Sequence, residues 1–146
     1  MYSINHRIGI IASVRAVYKA LTTNEGLMQW WTNDVSGAGD VGSTIQFRFN
    51  GSGPDFVVTA LTEDKLVRWQ HIGNVPDAWH GTEISFSLES TPTQVFVNFH
   101  HDNWLDSTDF MAHCCTKWAV FLLSLKAFLE EGEGQPFPLD IQIDHM

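Results

Sequence analysis

Ser107-Thr-Asp-Phe-Met-Ala-His-Cys-Cys-Thr-Lys-Trp-Ala-Val-Phe-Leu-Leu-Ser-Leu-Lys-Ala-Phe-Leu-Glu-Glu131 decides the fold of this 146-residue chain. Met111, Cys115, Trp118, Leu122, Leu125 and Leu129 recur at steps of three and four, the spacing that stacks side chains on one face of a helix. Cys114, Phe121 and Phe128 widen the stripe. Ser107 or Thr108 can cap the start, Asp109 suits the positive end of the helix dipole, and Gly132 stops the helix before Pro136 and Pro138. At about 1.5 Å per residue the helix spans roughly 36 Å, enough to cross a small domain. Its apolar face needs a partner of matching length.

The preceding residues supply one. Ser3 to Ile11 reads as a strand, and Val14, Val17, Tyr18 and Leu21 after Ser13 make a short amphipathic helix. Asn24 opens a second short helix that leads to Trp30 and Trp31. Strands follow over Thr44–Phe49, Asp55–Thr62, Leu66–Ile72, Thr82–Glu89 and Thr93–His101, joined by turns rich in Gly, Asn, Asp and Pro. Connections this short make the sheet antiparallel. The expected fold is α+β: a curved antiparallel sheet of about seven strands, two short helices after the first strand, and the long C-terminal helix across one face, all in a single domain spanning residues 1–146.

Composition narrows the function. Seventeen acidic residues against eight basic ones give a net charge of -9, which repels phosphate backbones and argues against a nucleic-acid partner. No apolar run was expected to serve as a membrane span, so membrane insertion is not predicted, and without a signal-peptide pattern the expected location is cytoplasmic. The only cysteines, Cys114 and Cys115, are adjacent on the helix and diverge, so they form no disulfide framework. Six tryptophans and ten phenylalanines can build either a packed core or the walls of a cavity.

Taken in order, Val17-Tyr18-x-x-Leu21-Thr22, Leu27-Met28-Gln29-Trp30-Trp31, Gly42-x-x-Ile45-x-Phe47, Leu66-Val67-Arg68-Trp69 and the Lys117-Trp118 to Gly132 segment resemble the START-like, helix-grip superfamily. Within it they are similar to the heat-shock-protein ATPase activator homologues. The resemblance implies a pocket between sheet and long helix that is often open to apolar ligands. Lys117 departs from it, since such proteins often carry Gly before the helix tryptophan. Activators that stimulate a chaperone also carry a separate N-terminal domain, for which 146 residues leave no room, so chaperone contact is not expected. A homodimer is left open.

Strand parity sorts the candidate site residues, because alternate side chains face opposite sides of a sheet. Phe47, Phe49, Trp69, Phe86 and Phe99 are the expected cavity wall, with Met111, Cys115 and Trp118 as its roof. The same parity turns His71 and His101 inward at strand ends, where they would stand at the pocket mouth. Trp79, in a Pro-containing loop, is read as a gate or a cover for the core. Aromatic stripes and inward histidines also have a plainer reading, as ordinary core residues. A space beneath Trp118 solidly filled by side chains would sink the reading of this chain as a ligand-binding domain.

His100, His101, Asp102 and His113 lack metal-ligand spacing, so neither a metal nor a cofactor is expected. No Gly-flanked serine elbow, phosphate loop or catalytic carboxylate pair is evident. The leading expectation is therefore a domain that binds a small apolar or aromatic molecule. The alternatives are an enzyme of cyclase or hydrolase-like type using a pocket histidine, and a chaperone-associated interaction module.

Overall fold

The computed structural model describes residues 1–144. Seven strands, β1 (Tyr2–Ile10), β2 (Asp34–Ser36), β3 (Thr44–Arg48), β4 (Asp55–Thr62), β5 (Leu66–Ile72), β6 (Glu83–Ser90) and β7 (Val95–Trp104), form one sheet in the order β1-β7-β6-β5-β4-β3-β2. All pairings are antiparallel. Two short helices, α1 (Val14–Thr22) and α2 (Asn24–Leu27), follow β1, and α3 (Asp109–Glu131) lies across the sheet. This is the α+β helix-grip arrangement expected from the sequence.

Local chemistry sets the helix limits. Ser13 caps α1 by accepting from the Ala16 N–H, and Thr23 caps α2 by accepting from the Gly26 N–H. Thr108 does the same for α3 through the Met111 N–H. Gly132 ends α3 with φ of 85°, a left-handed conformation that glycine adopts without a Cβ penalty. The strand that the sequence reading does not include is β2: three residues with one buried apolar side chain carry too little alternation to be seen.

The buried face of α3 is rotated from the stripe read off the sequence. Cys114, Trp118, Phe121, Leu122 and Leu125 are buried, whereas Met111, Cys115 and Leu129 are half-buried. Burying those five apolar side chains contributes on the order of 10 kcal/mol of gross stabilisation. Contrary to the composition-based expectation, α3 is long and apolar enough to cross a membrane by length and composition alone, a test that the core helix of a folded domain also passes.

Beneath Trp118, in the middle of α3, the interior is solid aromatic packing. Trp118 sits 4.4 Å from Phe99 and 4.7 Å from Trp31, ring centre to ring centre. Trp31 also stacks over Trp69 and touches Phe47, and Trp69 meets Phe86 edge-on. The Trp30 indole N–H donates to the Ala20 carbonyl at 2.9 Å, which fixes α1 against the loop after α2.

After Gly132 the chain turns back along α3. The Gln135 N–H donates to the Ser124 hydroxyl (2.7 Å), the Phe137 N–H to the Trp31 carbonyl (2.8 Å), and the Asn33 N–H to the Phe137 carbonyl (3.2 Å). A methyl group at Gly134 would collide with the Gln29 carbonyl oxygen, so only glycine allows this close approach. The sequence reading treated Pro136 and Pro138 only as a helix stop; they belong to a tail that forms a wall of the site.

Candidate functional site

A cleft of about 520 Å³ lies under the first half of α3. Its floor comes from the sheet, with Phe56, His71, Ile84 and His101. Phe110, Cys114, Lys117, Trp118 and Phe121 of α3 form the roof, and Phe137, Asp140 and Gln142 of the tail form a side wall. Trp31 and Phe49 close the inner end, and Asn74 to Pro76, Trp79 and His113 border it as well. The space exists because the residue that α3 lowers toward the sheet here is the small Cys114, where one turn later it is Trp118.

Five residues singled out from the sequence border this cleft: Phe49, His71, Trp79, His101 and Trp118. Phe47, Trp69, Phe86 and Phe99 do not. They are at most 1 % exposed and fill the core directly beneath Trp118, so the cavity as first drawn is occupied by side chains and the opening is displaced toward the N-terminal turns of α3. Met111 and Cys115 also lie outside the lining. The Cys115 carbonyl accepts from His6 Nε2 of β1 at 2.9 Å, which places Cys115 on the β1 side of the helix. The stripe holds at Trp118, Leu122 and Leu125 and at its widening members Cys114 and Phe121, but in the first turns Phe110 and Cys114 take the places assigned to Met111 and Cys115.

His71 and His101 are floor residues, 8 % and 1 % exposed, and not a pocket mouth. They sit on β5 and β7, two strands apart and therefore roughly 10 Å apart at the backbone. Their rings nevertheless approach to 5.3 Å and lie nearly parallel. Thr82, just ahead of β6, is short enough to lie between them, with its hydroxyl 3.0 Å from His71 Nδ1 and 3.0 Å from His101 Nε2. Trp79 stacks on the outer side of His71 at 5.0 Å, and Phe110 follows Trp79 at 5.7 Å.

Both imidazoles are held neutral. Burial lowers the pKa of His71 to about 4, only partly opposed by an interaction with the Thr82 backbone, and lowers that of His101 to about 3 with a smaller contribution from His71. A neutral ring carries one N–H donor and one lone-pair acceptor, and at these pKa values it is a weak base near neutral pH. Burial also pushes the Cys114 thiol up to about 11, which keeps it protonated and unreactive. The Trp79 indole N–H is near enough to lower that value slightly but forms no full hydrogen bond.

The tail wall is fastened by charge. Lys117 forms an ion pair with the buried Asp140, donates to the Ile141 carbonyl at 2.9 Å and lies over the Phe121 ring. The position where the resemblance led one to expect Gly thus carries a latch for the tail. His113 Nδ1 lies 2.9 Å from Asp144 and adds a second, exposed tie. His100 is on the outer face of the sheet with Asn5, and no cluster of metal-ligating side chains occurs among the described residues.

Sequence reasoning missed Trp31, Phe56, Phe110, Phe137 and Asp140 as cleft residues. Phe56 was available, since it shares strand parity with Val58 and faces the same side as Trp69. Phe110 was available too, four residues before Cys114 and eight before Trp118. Phe137 and Asp140 carried no periodic signal at all.

A search of curated proteins returned no match. The Aha1 dimer from Colwellia psychrerythraea, a solution structure, is 66% identical, covers 92% of this chain and 100% of its own, and superposes with a TM-score of 0.87. SSP2350 from Staphylococcus saprophyticus is 18% identical over 91% of this chain and 95% of its own, with a TM-score of 0.76. CalU16 from Micromonospora echinospora is 17% identical over 92% and 77%, with a TM-score of 0.72. The last two show a shared fold only. The family model described as Activator of Hsp90 ATPase homolog 1-like protein matches residues 11–130, and the chain belongs to that family.

Proposed function

We propose that this protein binds a small, largely apolar or aromatic molecule in the cleft between β5–β7, the first half of α3 and the C-terminal tail. The observation that carries the reading is the cleft itself: aromatic side chains on several sides and a few convergent polar groups, the usual make-up of a small-molecule site. The binding role is favoured over catalysis by acid or base because the two floor histidines are neutral and weakly basic. A thermal-shift screen against lipids and aromatic metabolites, with native mass spectrometry of the purified protein, tests it. Ligands that raise the melting temperature of the unmodified protein and have no effect on Cys114→Trp, which fills the cleft, are expected. A panel with no stabilising member, or with equal stabilisation of the filled variant, would contradict it.

A second reading concerns assembly. We infer a homodimer, favoured by the 66% identical Colwellia protein having been solved as a dimer. Alternate tail residues face opposite ways: Asp140 and Gln142 line the cleft, while Leu139 and Ile141 border a second groove with Leu123 on the outside of α3. Leu123, Leu139 and Ile141 are 58%, 67% and 61% exposed, an apolar strip suited to burial against a second copy. Light scattering on a sizing column should give twice the chain mass, reduced to one by Leu123→Glu with Ile141→Glu. A monomer at all concentrations would overturn the inference.

A further inference from the structure

The hydrogen-bond network under the cleft has a definite proton count. Thr82 Oγ1 lies 2.7 Å from the Trp79 carbonyl oxygen, which has no hydrogen to give, so the single hydroxyl proton is directed there. The hydroxyl oxygen can then only accept from the two imidazoles, each 3.0 Å away. His71 is therefore protonated on Nδ1 and His101 on Nε2, and each ring keeps one lone pair, on Nε2 of His71 and on Nδ1 of His101. The Nδ1 of His101 is sealed in the interior without a partner, and the Nε2 of His71 has none among the described residues.

The charged groups of the lining point to the same chemistry. Lys117, the one lysine of the lining, is taken up by Asp140, and His113 by Asp144. The remaining oxygen of Asp140 is a second buried acceptor without a partner. The lining thus withholds free cations and offers lone pairs, beside one buried donor without a partner among the described residues, the indole N–H of Trp79.

We propose that the cleft selects molecules that present a hydrogen-bond donor, a phenol-type or enol hydroxyl or an N–H on an aromatic or apolar frame, to Nε2 of His71, and discriminates against carboxylates. The proposal rests on the cleft being a ligand site. Thr82 acts as a positioning residue: it never touches the ligand, and it fixes the tautomer that makes His71 an acceptor. The low basicity of both rings is consistent with this, since protonation would turn the acceptor into a donor.

Nitrogen-15 NMR of the imidazole rings in the free protein tests the tautomers directly, and titration with 2-naphthol, 2-methoxynaphthalene and 2-naphthoate tests the selection. The expected result is a ring proton on Nδ1 of His71 and on Nε2 of His101, with 2-naphthol bound about five- to tenfold more tightly than its methyl ether and 2-naphthoate the weakest. His71→Phe should bring the hydroxyl and methoxy compounds to equal affinity while both still bind. Thr82→Val, which keeps the imidazole but frees its tautomer, should reduce the preference and mix the ring signals of His71. Equal binding of 2-naphthol and its ether to the unmodified protein, preference for the carboxylate, or a proton on Nε2 of His71 would overturn the donor rule and leave the cleft as a ligand site. Failure of all three compounds to bind would overturn the ligand site itself, and the rule with it.

Discussion

From Trp118 onward α3 and the sheet meet through continuous aromatic and aliphatic packing; under the first two turns of the helix the same two layers stand apart. The elements are identical, so the difference lies in side-chain volume. Trp118, Phe121, Leu122 and Leu125 join Trp31, Trp69, Phe86 and Phe99 in one core cluster at one end, whereas at the other Cys114 borders the same cleft as His71 and His101. Apolar volume at the closed end supplies stability. At the open end Thr82 pairs with one nitrogen of each histidine, while His101 Nδ1, the Trp79 indole N–H and one Asp140 oxygen remain unpaired among the described residues.

The contrast is broken most strongly from the closed side. Phe99→Ala or Trp69→Ala should cost about 3–5 kcal/mol, because a rigid aromatic neighbourhood cannot collapse into the cavity. Urea denaturation checks this, and a loss below about 1 kcal/mol would mean that the closed end is as loosely packed as the open one.

Acid should attack the open end first. The folded-state pKa values of His71 and His101 lie below that of an unfolded histidine, so between pH 6.5 and about 4 the unfolded chain binds more protons. Stability therefore rises with pH across that window and is lost as pH falls. From pH 7 to pH 5 the two histidines together should cost on the order of 3 kcal/mol, a drop that a His71→Phe, His101→Phe double variant lacks. Parallel pH profiles of the two proteins would contradict the neutral, buried state of the rings.

A smaller effect comes from the tail wall. Lys117→Ala leaves the buried carboxylate of Asp140 without its cation and should destabilise by about 2 kcal/mol. Tail amides around 137–142 should then exchange with solvent faster than those of the sheet, as read by hydrogen exchange. Smallest of all in stability is Phe110→Ala at the rim, expected within about 0.5 kcal/mol of the parent because Phe110 is exposed. Its effect should appear instead as weaker ligand binding, by a few-fold in titration.

The two regions also differ in how much of them the sequence discloses. Period-two alternation sorted Val67, Trp69 and His71, and likewise Val97, Phe99 and His101, onto the inner face. A period of 3.6 residues identified α3 and its caps. Such signals are local, so they report which residues turn inward and say little about what they meet. Whether Phe99 touches Trp118 or lines a void depends on helix placement, and in the first turns of α3 the roof is Phe110 and Cys114 where the stripe pointed to Met111 and Cys115. The tail is the extreme case: Phe137 and Asp140 take their positions from Ser124, Trp31 and Lys117, contacts made across the fold. Thr82 was placed at the start of a strand, but its central role arises only when β5 and β7 bring a histidine to each side of it.

Chemical-shift mapping by NMR with 2-naphthol tests most directly whether the open end is where a ligand goes. The prediction is that shifts concentrate on Trp79, His71, Phe110 and the tail residues 137–142, and leave Val67, Val97 and the outer groove around Leu123 unmoved. Saturable shifts centred on that outer groove, or none at the cleft, would contradict it.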